Sequence, residues 1–522
     1  MLWLGNLQGR WLQAGITLTC GVAFMLFGYD QGVFGGLLGN AMFIRTFNNP
    51  NPTIQGQIVS TFDLGCILGA ATNLYTGDKL GRKKAIIVAC GLVVLGSAIQ
   101  ASSFSLAQMI VGRIVAGFGI GSETAIIPMY QAETCNPKHR GKLIALQCII
   151  VISGIVLTNW MNLGFTYVPD NDVSWRFPLA FQTFFALLAM FLILFTPESP
   201  RWLCMKDRHE EARRVIARLE GQETTNPEVS QFLQILIDTI AHERSAAEVS
   251  WREVFSNGEQ QTFRRITLGA GLNFMQQMGG INVVVYYMPV VLTTSFDFSD
   301  RLALILTACD FIALMIWGGF GAVLIDRWGR KKLLLLGSVI QGTAFSVAAA
   351  GLGVGTRASN GVAVAFIFLY HLGFGLSFLC VPFTYAAEIN SNRMRNIGAA
   401  IGMLTNWLFV YVVVLITPTG IANIGWRYYI IFGALNFSFI PVIWYFYIET
   451  AAMSLEEIDK MFEAKFHGGK SMTWNEARQA AKQSMAAAKA EISAKIGQDG
   501  VDGVVVHEEY SYDNEKKQSS PA

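Results

Sequence analysis

The sequence predicts an all-α membrane protein: twelve transmembrane helices in two six-helix halves, joined by a short cytoplasmic helical linker. Three observations carry this. Of 522 residues, 52% are apolar types and only 15% are charged, against about 25% charged in a soluble domain, and the mean hydropathy is +0.40. Twelve apolar runs of roughly 20 residues follow one another, the length at which a helix crosses the hydrocarbon core. They do not alternate in polarity as the strands of a membrane barrel do. Finally, the two halves of the chain echo each other.

The runs fall at roughly 15–37, 58–76, 85–104, 108–130, 143–164 and 177–196 in the first half, and 266–292, 302–325, 333–353, 362–387, 397–417 and 426–448 in the second. Met1–Gln13 is too short and too polar to be a signal-peptide core, so the first span directs insertion itself. The polar stretch between the sixth and seventh spans holds EEARRVIARLEG and VSQFLQILIDTIAHE, which read as short amphipathic helices. The parts are therefore a first half over 1–196, a linker over 197–265, a second half over 266–448 and a tail over 449–522. In the tail, SLEEIDKMFEAKF and the Ala/Lys/Glu-rich segment after it read as helical, and the composition after Gly497 as disordered.

Charge sets orientation. DKLGRKK, NPKHRGK, DRWGRKK and NRMRN sit on alternate loops, while NNPNPTIQGQ and TYVPDNDVSW are poor in Lys and Arg. The positive-inside bias places the basic loops, the linker and both termini in the cytoplasm. The net charge is only +2, from 39 Lys+Arg and 37 Asp+Glu, and no basic stripe with interleaved aromatics points to nucleic acid. None of the eight cysteines forms a CxxC pair; they read as small packing residues rather than a zinc site or a disulfide framework.

The echo is specific. GDKLGRKK at Gly77 matches IDRWGRKK at Ile325, 248 residues later. Pro128, Tyr130, Glu133 and Arg140 correspond to Pro382, Tyr385, Glu388 and Arg395, with Glu133 and Glu388 255 residues apart, and Glu198 to Glu449 at 251. A repeat at equivalent helix ends indicates duplication of a six-helix unit, and two parallel halves about an axis along the membrane normal is a transporter architecture.

Within the spans a few polar residues stand out. Asp30 in the first and Arg113 in the fourth are charges in hydrocarbon, where each needs a partner; a guanidinium grips a carboxylate bidentately. They read either as a proton-coupling pair or as a static pair fixing helix register. Gln147, Gln276, Gln277 and Asn282 are amides, offering donors and acceptors together, which suits a neutral polyhydroxylated ligand; the alternative is helix-to-helix bonding. Asp63 and Asp310 are further acids in spans with no assigned role. His139 and His371 are isolated and read as structural, so no metal site is expected. GFGIG at 117–121 reads as close helix packing rather than a phosphate cradle.

FGYDQGV at 27–33, GDKLGRKK at 77–84, the R-x3-G-x-G-x-G run from Arg113 to Gly121, PMYQAETCNPKHRG at 128–141, PESPRWL at 197–203, QQMGGINVVVYY at 276–287, DRWGRKK at 326–332 and SLEEID at 454–459 together resemble the sugar porter family of the major facilitator superfamily. GYDQG, SWRFP and TNW resemble its fungal hexose carriers and glycerol/proton symporters. The segment after the last span reads Ile448-Glu449-Thr450 where the family has Pro-Glu-Thr, and SFLCVPF replaces a GPxPW segment, with Phe383 where a Trp often stands.

The resemblance implies a secondary transporter, not an enzyme, importing a neutral sugar or polyol by alternating access. It would act without a cofactor, as a monomer in the plasma membrane. It implies that Asp30 accepts the proton beside Arg113, and that Gln276, Gln277, Asn282, Asn406 and Trp407 contact the sugar, with Gln147 and Phe383 alongside. Tyr286 and Tyr287 read as an outer gate or as interfacial aromatics. Asp78, Arg82, Glu133, Arg140, Glu198 and Arg201, with their counterparts Asp326, Arg330, Glu388, Arg395 and Glu449, are implied to form charge clusters that close the inner side. Two alternatives stay open: a proton-independent facilitator and a non-transporting nutrient sensor.

Overall fold

The computed structural model describes residues 7–498 apart from 136–139, 169, 246–250, 295–297, 392 and 470. The side chains of 74, 75, 78, 140–142, 144, 242–245, 251, 252, 396 and 488–498 also lie outside the described set. In the first half, α1 is Gly9–Leu37, α2 Ala41–Thr46, α3 Pro52–Leu80, α4 Arg82–Ala101, α5 Leu106–Thr134, α6 Arg140–Phe165 and α7 Val173–Ile193. The linker forms α8 (Pro200–Met205), α9 (His209–Glu220), α10 (Pro227–Ser245) and α11 (Trp251–Val254). The second half has α12 (Thr262–Met278), α13 (Ile281–Thr294), α14 (Asp300–Trp328), α15 (Arg330–Val354), α16 (Arg357–Leu376), α17 (Val381–Ile389), α18 (Arg395–Ile424) and α19 (Arg427–Phe446). Then come α20 (Leu455–Gly468) and α21 (Trp474–Gln498).

Local chemistry sets many of these starts. Asn51 caps α3 by accepting the Ile54 amide, with Pro52 in the first turn, where a missing N–H is harmless. Ser105 caps α5 through the Gln108 amide, and Thr356 and Ser359 form a reciprocal capping box on α16.

Twelve spans make the bundle, and among the described residues ten helical stretches are long and apolar enough to cross a membrane on length and composition alone. Of the remaining two spans, α3 is 29 residues long and carries Gln, Asp, Asn and Thr among its apolar residues. The seventh span is broken at Gly279–Gly280 into α12 and α13, 17 and 14 residues; Gly280 has φ +93°, a backbone state that favours glycine. The tenth span is broken too, between α16 and α17. Their counterparts in the first half, α1 and α5, run unbroken for 29 residues each.

Within the first half, α3 and α4 pack on α5, α1 on α6 and α7, and α4 on α7. The second half repeats the scheme, with α12 on α18, α14 and α15 on α16, and α15 on α19. The halves meet where α3 packs on α18, α6 on α14 and α1 on α13. Close approach of α3 and α5 rests on GFGIG: a methyl on Gly117 would lie 2.0 Å from the Phe62 carbonyl oxygen, and one on Gly121 2.1 Å from that of Cys66.

One end of the bundle carries the linker. There Gln13 donates to the Leu219 carbonyl (3.1 Å), Arg393 pairs with Glu253 (3.0 Å), and Trp202, Leu203, Cys204, Ala212 and Ile240 form a small apolar core. The described residues from Glu456 on form a separate compact unit, in which α20 buries Ile458, Met461 and Phe462 and Phe462 packs edge-on to Trp474.

Candidate functional site

The charged pair is buried between the helices of the first half. Arg113 on α5 donates from Nη1 to both oxygens of Asp30 on α1, at 3.3 and 3.2 Å. Its Nε donates to the Ile58 carbonyl (3.3 Å) and its Nη2 to that of Val59 (3.0 Å), both on α3. The guanidinium lies 4.2 Å from the ring centre of Phe34 and 4.4 Å from that of Phe62, as cation–π geometry requires. Asp30 and Arg113 are 1% and 0% exposed. A buried pair this well bonded is hard to break from one side only, since the orphaned charge is left without solvent.

The amides of the second half form one chain of hydrogen bonds. Asn282 donates to Gln277 (2.7 Å), Gln277 to Gln276 (3.3 Å), and Asn406 on α18 to both Gln276 (2.8 Å) and Asn273 (3.4 Å). Gln276 in turn donates to the Phe378 carbonyl (2.6 Å), a peptide group left free where the tenth span breaks. The Gly279 carbonyl, freed at the other break, accepts from Tyr370 (3.2 Å) and Asn436 (3.0 Å). The two discontinuities thus supply backbone groups to a polar interior, as discontinuous carrier helices do.

Trp407 bridges the two systems. It is buried, its ring packs edge-on to Phe27 (5.6 Å) and Phe62 (6.4 Å) from the other half, and its indole N–H has no partner among the described residues. Gln147 on α6 bonds to Gln131 on α5, away from the second-half chain. Phe383 on α17 is half-buried and stands outside the bonded chain. Tyr286 and Tyr287 are fully buried rather than at a surface belt; Tyr287 donates to the Val414 carbonyl (2.9 Å), joining α13 to α18.

The terminal charges cluster symmetrically, one set in each half. Arg82 forks onto Glu133 (Nε 2.9 Å, Nη2 3.0 Å) and also reaches the Gly77 carbonyl. Glu198 accepts from the backbone N–H of Arg82 (3.0 Å), Lys83 (3.2 Å) and Ser199 (2.9 Å), a carboxylate seated on the N-terminus of α4. Burial pushes its carboxyl above the usual range, against the opposing pull of those backbone N–H groups. In the second half Arg330 bonds Glu388 (2.7 Å), Asp326 (3.2 Å) and the Ile325 carbonyl, while Glu449 accepts from Arg330 (2.9 Å) and Lys331 (3.0 Å) backbones. Lys83 and Lys331 each cap a carbonyl at the end of the sixth or twelfth span, Leu194 and Trp444. The glycine before each arginine is demanded twice: Gly81 and Gly329 have φ +86° and +85°, and a Cβ on either would meet Glu198 or Glu449 at 2.7 or 2.4 Å. Arg395 donates to the Ala387 carbonyl (3.2 Å), and Arg201 is half-buried on α8. Asp78 and Arg140 have side chains outside the described residues. The bonds just described each stay within one half.

Sequence reasoning missed several residues. Asn273, Gln131, Tyr370 and Asn436 are buried and bonded to the site, and the signal for each was a polar residue inside a span. Asp310 lies inside α14, not at a helix end, with His371 Nδ1 2.8 Å from its Oδ2 and both fully buried. His371 is therefore not isolated; His139 lies outside the described residues.

At the end opposite the linker the halves touch. Thr53 and Thr419 bond at 3.3 Å, the Arg301 guanidinium stacks 4.5 Å over Tyr167, and a Cβ on Gly56 would come within 2.6 Å of the Leu415 carbonyl oxygen. The bundle is closed there.

Two six-helix halves enclosing a buried polar centre define a membrane transporter of the major facilitator fold. The description "Sugar (and other) transporter" matches residues 16–462, and the chain belongs to that family. It is 39% identical over 469 residues to the MFS-type transporter oryC of Aspergillus oryzae, covering 88% of this chain and 87% of that one. It is 33% identical over 495 residues to the sugar transporter STL1 of Saccharomyces cerevisiae, covering 92% and 86%. Among solved structures, the proton:xylose symporter XylE bound to 6-bromo-6-deoxy-D-glucose matches with a TM-score of 0.71 at 24% identity, over 86% of this chain and 99% of that one, a likeness of fold. With relatives named as transporters and this fold, the chain is a carrier and not an enzyme.

Proposed function

We propose that the protein imports a neutral sugar or polyol together with a proton, by alternating access between the two halves. The observation that carries this is the amide chain Asn282–Gln277–Gln276–Asn406–Asn273, linked through Trp407 and Phe62 to the Asp30–Arg113 pair. Amides serve hydroxyls as donor and acceptor without asking for charge. The buried ring of Trp407, once reached by substrate, serves the apolar side of a sugar ring. Asp30 and Arg113 supply the proton-coupled element, and the charge clusters at the linker end act as clamps that hold each half together while the halves rock. Gln147 and Phe383 line the first-half and α17 sides, and Tyr286 and Tyr287 close the far end. The basic loops, linker and tail then face the cytoplasm, in the plasma membrane.

The test is uptake in a yeast strain lacking its own hexose and glycerol carriers, offered glucose, xylose and glycerol while external pH is recorded. Substrate-triggered alkalinisation that is lost in Asp30→Asn is the expected result. Uptake with no pH change and no response to an uncoupler would mark a facilitator. Surface-expressed protein that moves none of these substrates would overturn the sugar and polyol reading.

A further inference from the structure

The reading above leaves one carboxylate near the charged pair unused. Asp63, in the middle of α3, is 0% exposed, and neither of its oxygens has a hydrogen-bond partner among the described residues. It stands one helical turn beyond Val59, whose carbonyl accepts from Arg113, and beside Phe62, which lies under the guanidinium. All three nitrogens of Arg113 are engaged with Asp30, Ile58 and Val59, and no bond from it reaches Asp63. Arg113 and Asp30 are the charges acting on Asp63. The other titratable groups close enough to feel it are Cys66 on its own helix and Tyr286 and Tyr287 from α13. From α18 the neighbour is Trp407, edge-on to Phe62.

An ionised carboxylate with no donor, beside a guanidinium already bonded to another carboxylate, is not sustained in such surroundings, whereas a carboxylic acid is. We propose that the coupling centre has two carboxylates and one guanidinium, and that in this closed conformation its proton sits on Asp63 while Arg113 holds Asp30 ionised. The step is a simple acid–base exchange: an O–H bond forms on Asp63 as water delivers a proton, and breaks as the proton returns to water on the other side. On release the centre gains one negative charge, and Arg113 then lies among two anions. Substrate occupancy is felt through contact, because Trp407 touches Phe62, the residue next to Asp63. This inference rests on the proton-coupled reading above and adds the residue on which the proton rides.

The experiment uses the full-length carrier in proteoliposomes, with whichever of xylose, glucose or glycerol it accumulates. In Asp63→Asn, a neutral mimic of the acid, uncoupler-sensitive accumulation is lost while substrate exchange stays within about threefold of wild type. Infrared difference spectra provide an independent readout: a protonated-carboxyl band present in the wild type disappears in Asp63→Asn and moves in Asp63→Glu. The Glu variant serves where the Asn variant does not fold. If Asp63→Asn accumulates substrate as the wild type does, or its infrared band is unchanged, Asp63 carries no proton and this inference fails while symport stands. If the wild type moves no protons with substrate, the inference and the symport reading fall together.

Discussion

Gln276 is the most heavily committed amide in the site. It donates to the Phe378 carbonyl and accepts from Gln277 and Asn406. Gln276→Ala leaves the Phe378 carbonyl and the Gln277 amide without partners at once, and Asn406 with Asn273 alone, each orphan worth roughly 1–3 kcal/mol. If this amide serves substrate, apparent affinity falls about tenfold to a hundredfold, read from the concentration dependence of uptake; an unchanged half-saturation concentration would remove the chain from binding. The amides of the seventh span were legible because such groups are scarce in apolar runs. The partnership of Asp310 with His371 was not. Those residues stand 61 positions apart, and only the packing of α14 on α16 brings them together.

At the scale of elements, the glycine before each basic helix start is the sharpest case. In Gly329→Ala the new methyl must take a positive φ and displace the Glu449 carboxylate. The backbone strain alone is about 1–2 kcal/mol, before any loss of the cap. Lower melting in detergent is expected, against a control at Gly319→Ala, where nothing lies within 4 Å and helix propensity favours Ala. Equal melting of the two variants would show that the Glu449 cap adapts freely. The helices themselves were readable from apolar run length, and the Gly-Gly of the seventh span is a visible breaker. The sequence reading nevertheless treats that span and the tenth as continuous. The break between α16 and α17 has no such marker within Ser377–Cys380; the carbonyl freed there is met by Gln276, a partner 102 residues away.

For the whole molecule, closure of the far end depends on α3 and α18 touching at Gly56. In Gly56→Val the added carbons cannot share the space of the Leu415 carbonyl, so the bundle is held open at that end. Net uptake is expected to fall more than tenfold at unchanged abundance in the membrane, a barrier change of over about 1.4 kcal/mol; near-normal uptake would mean that this contact opens and closes at no steric expense. The duplicated plan was legible from motif spacing alone, down to the matched Glu198 and Glu449. The uneven treatment of the two copies was not, because it depends on which breaks find partners.

That unevenness divides the mechanical work. The first and fourth spans are unbroken rods, whereas the seventh and tenth are jointed. A load placed across the molecule therefore flexes one copy and merely tilts the other, as a stiff beam tilts against a knee. Of two duplicated halves that share a layout, the first serves as the strut and the second as the limb.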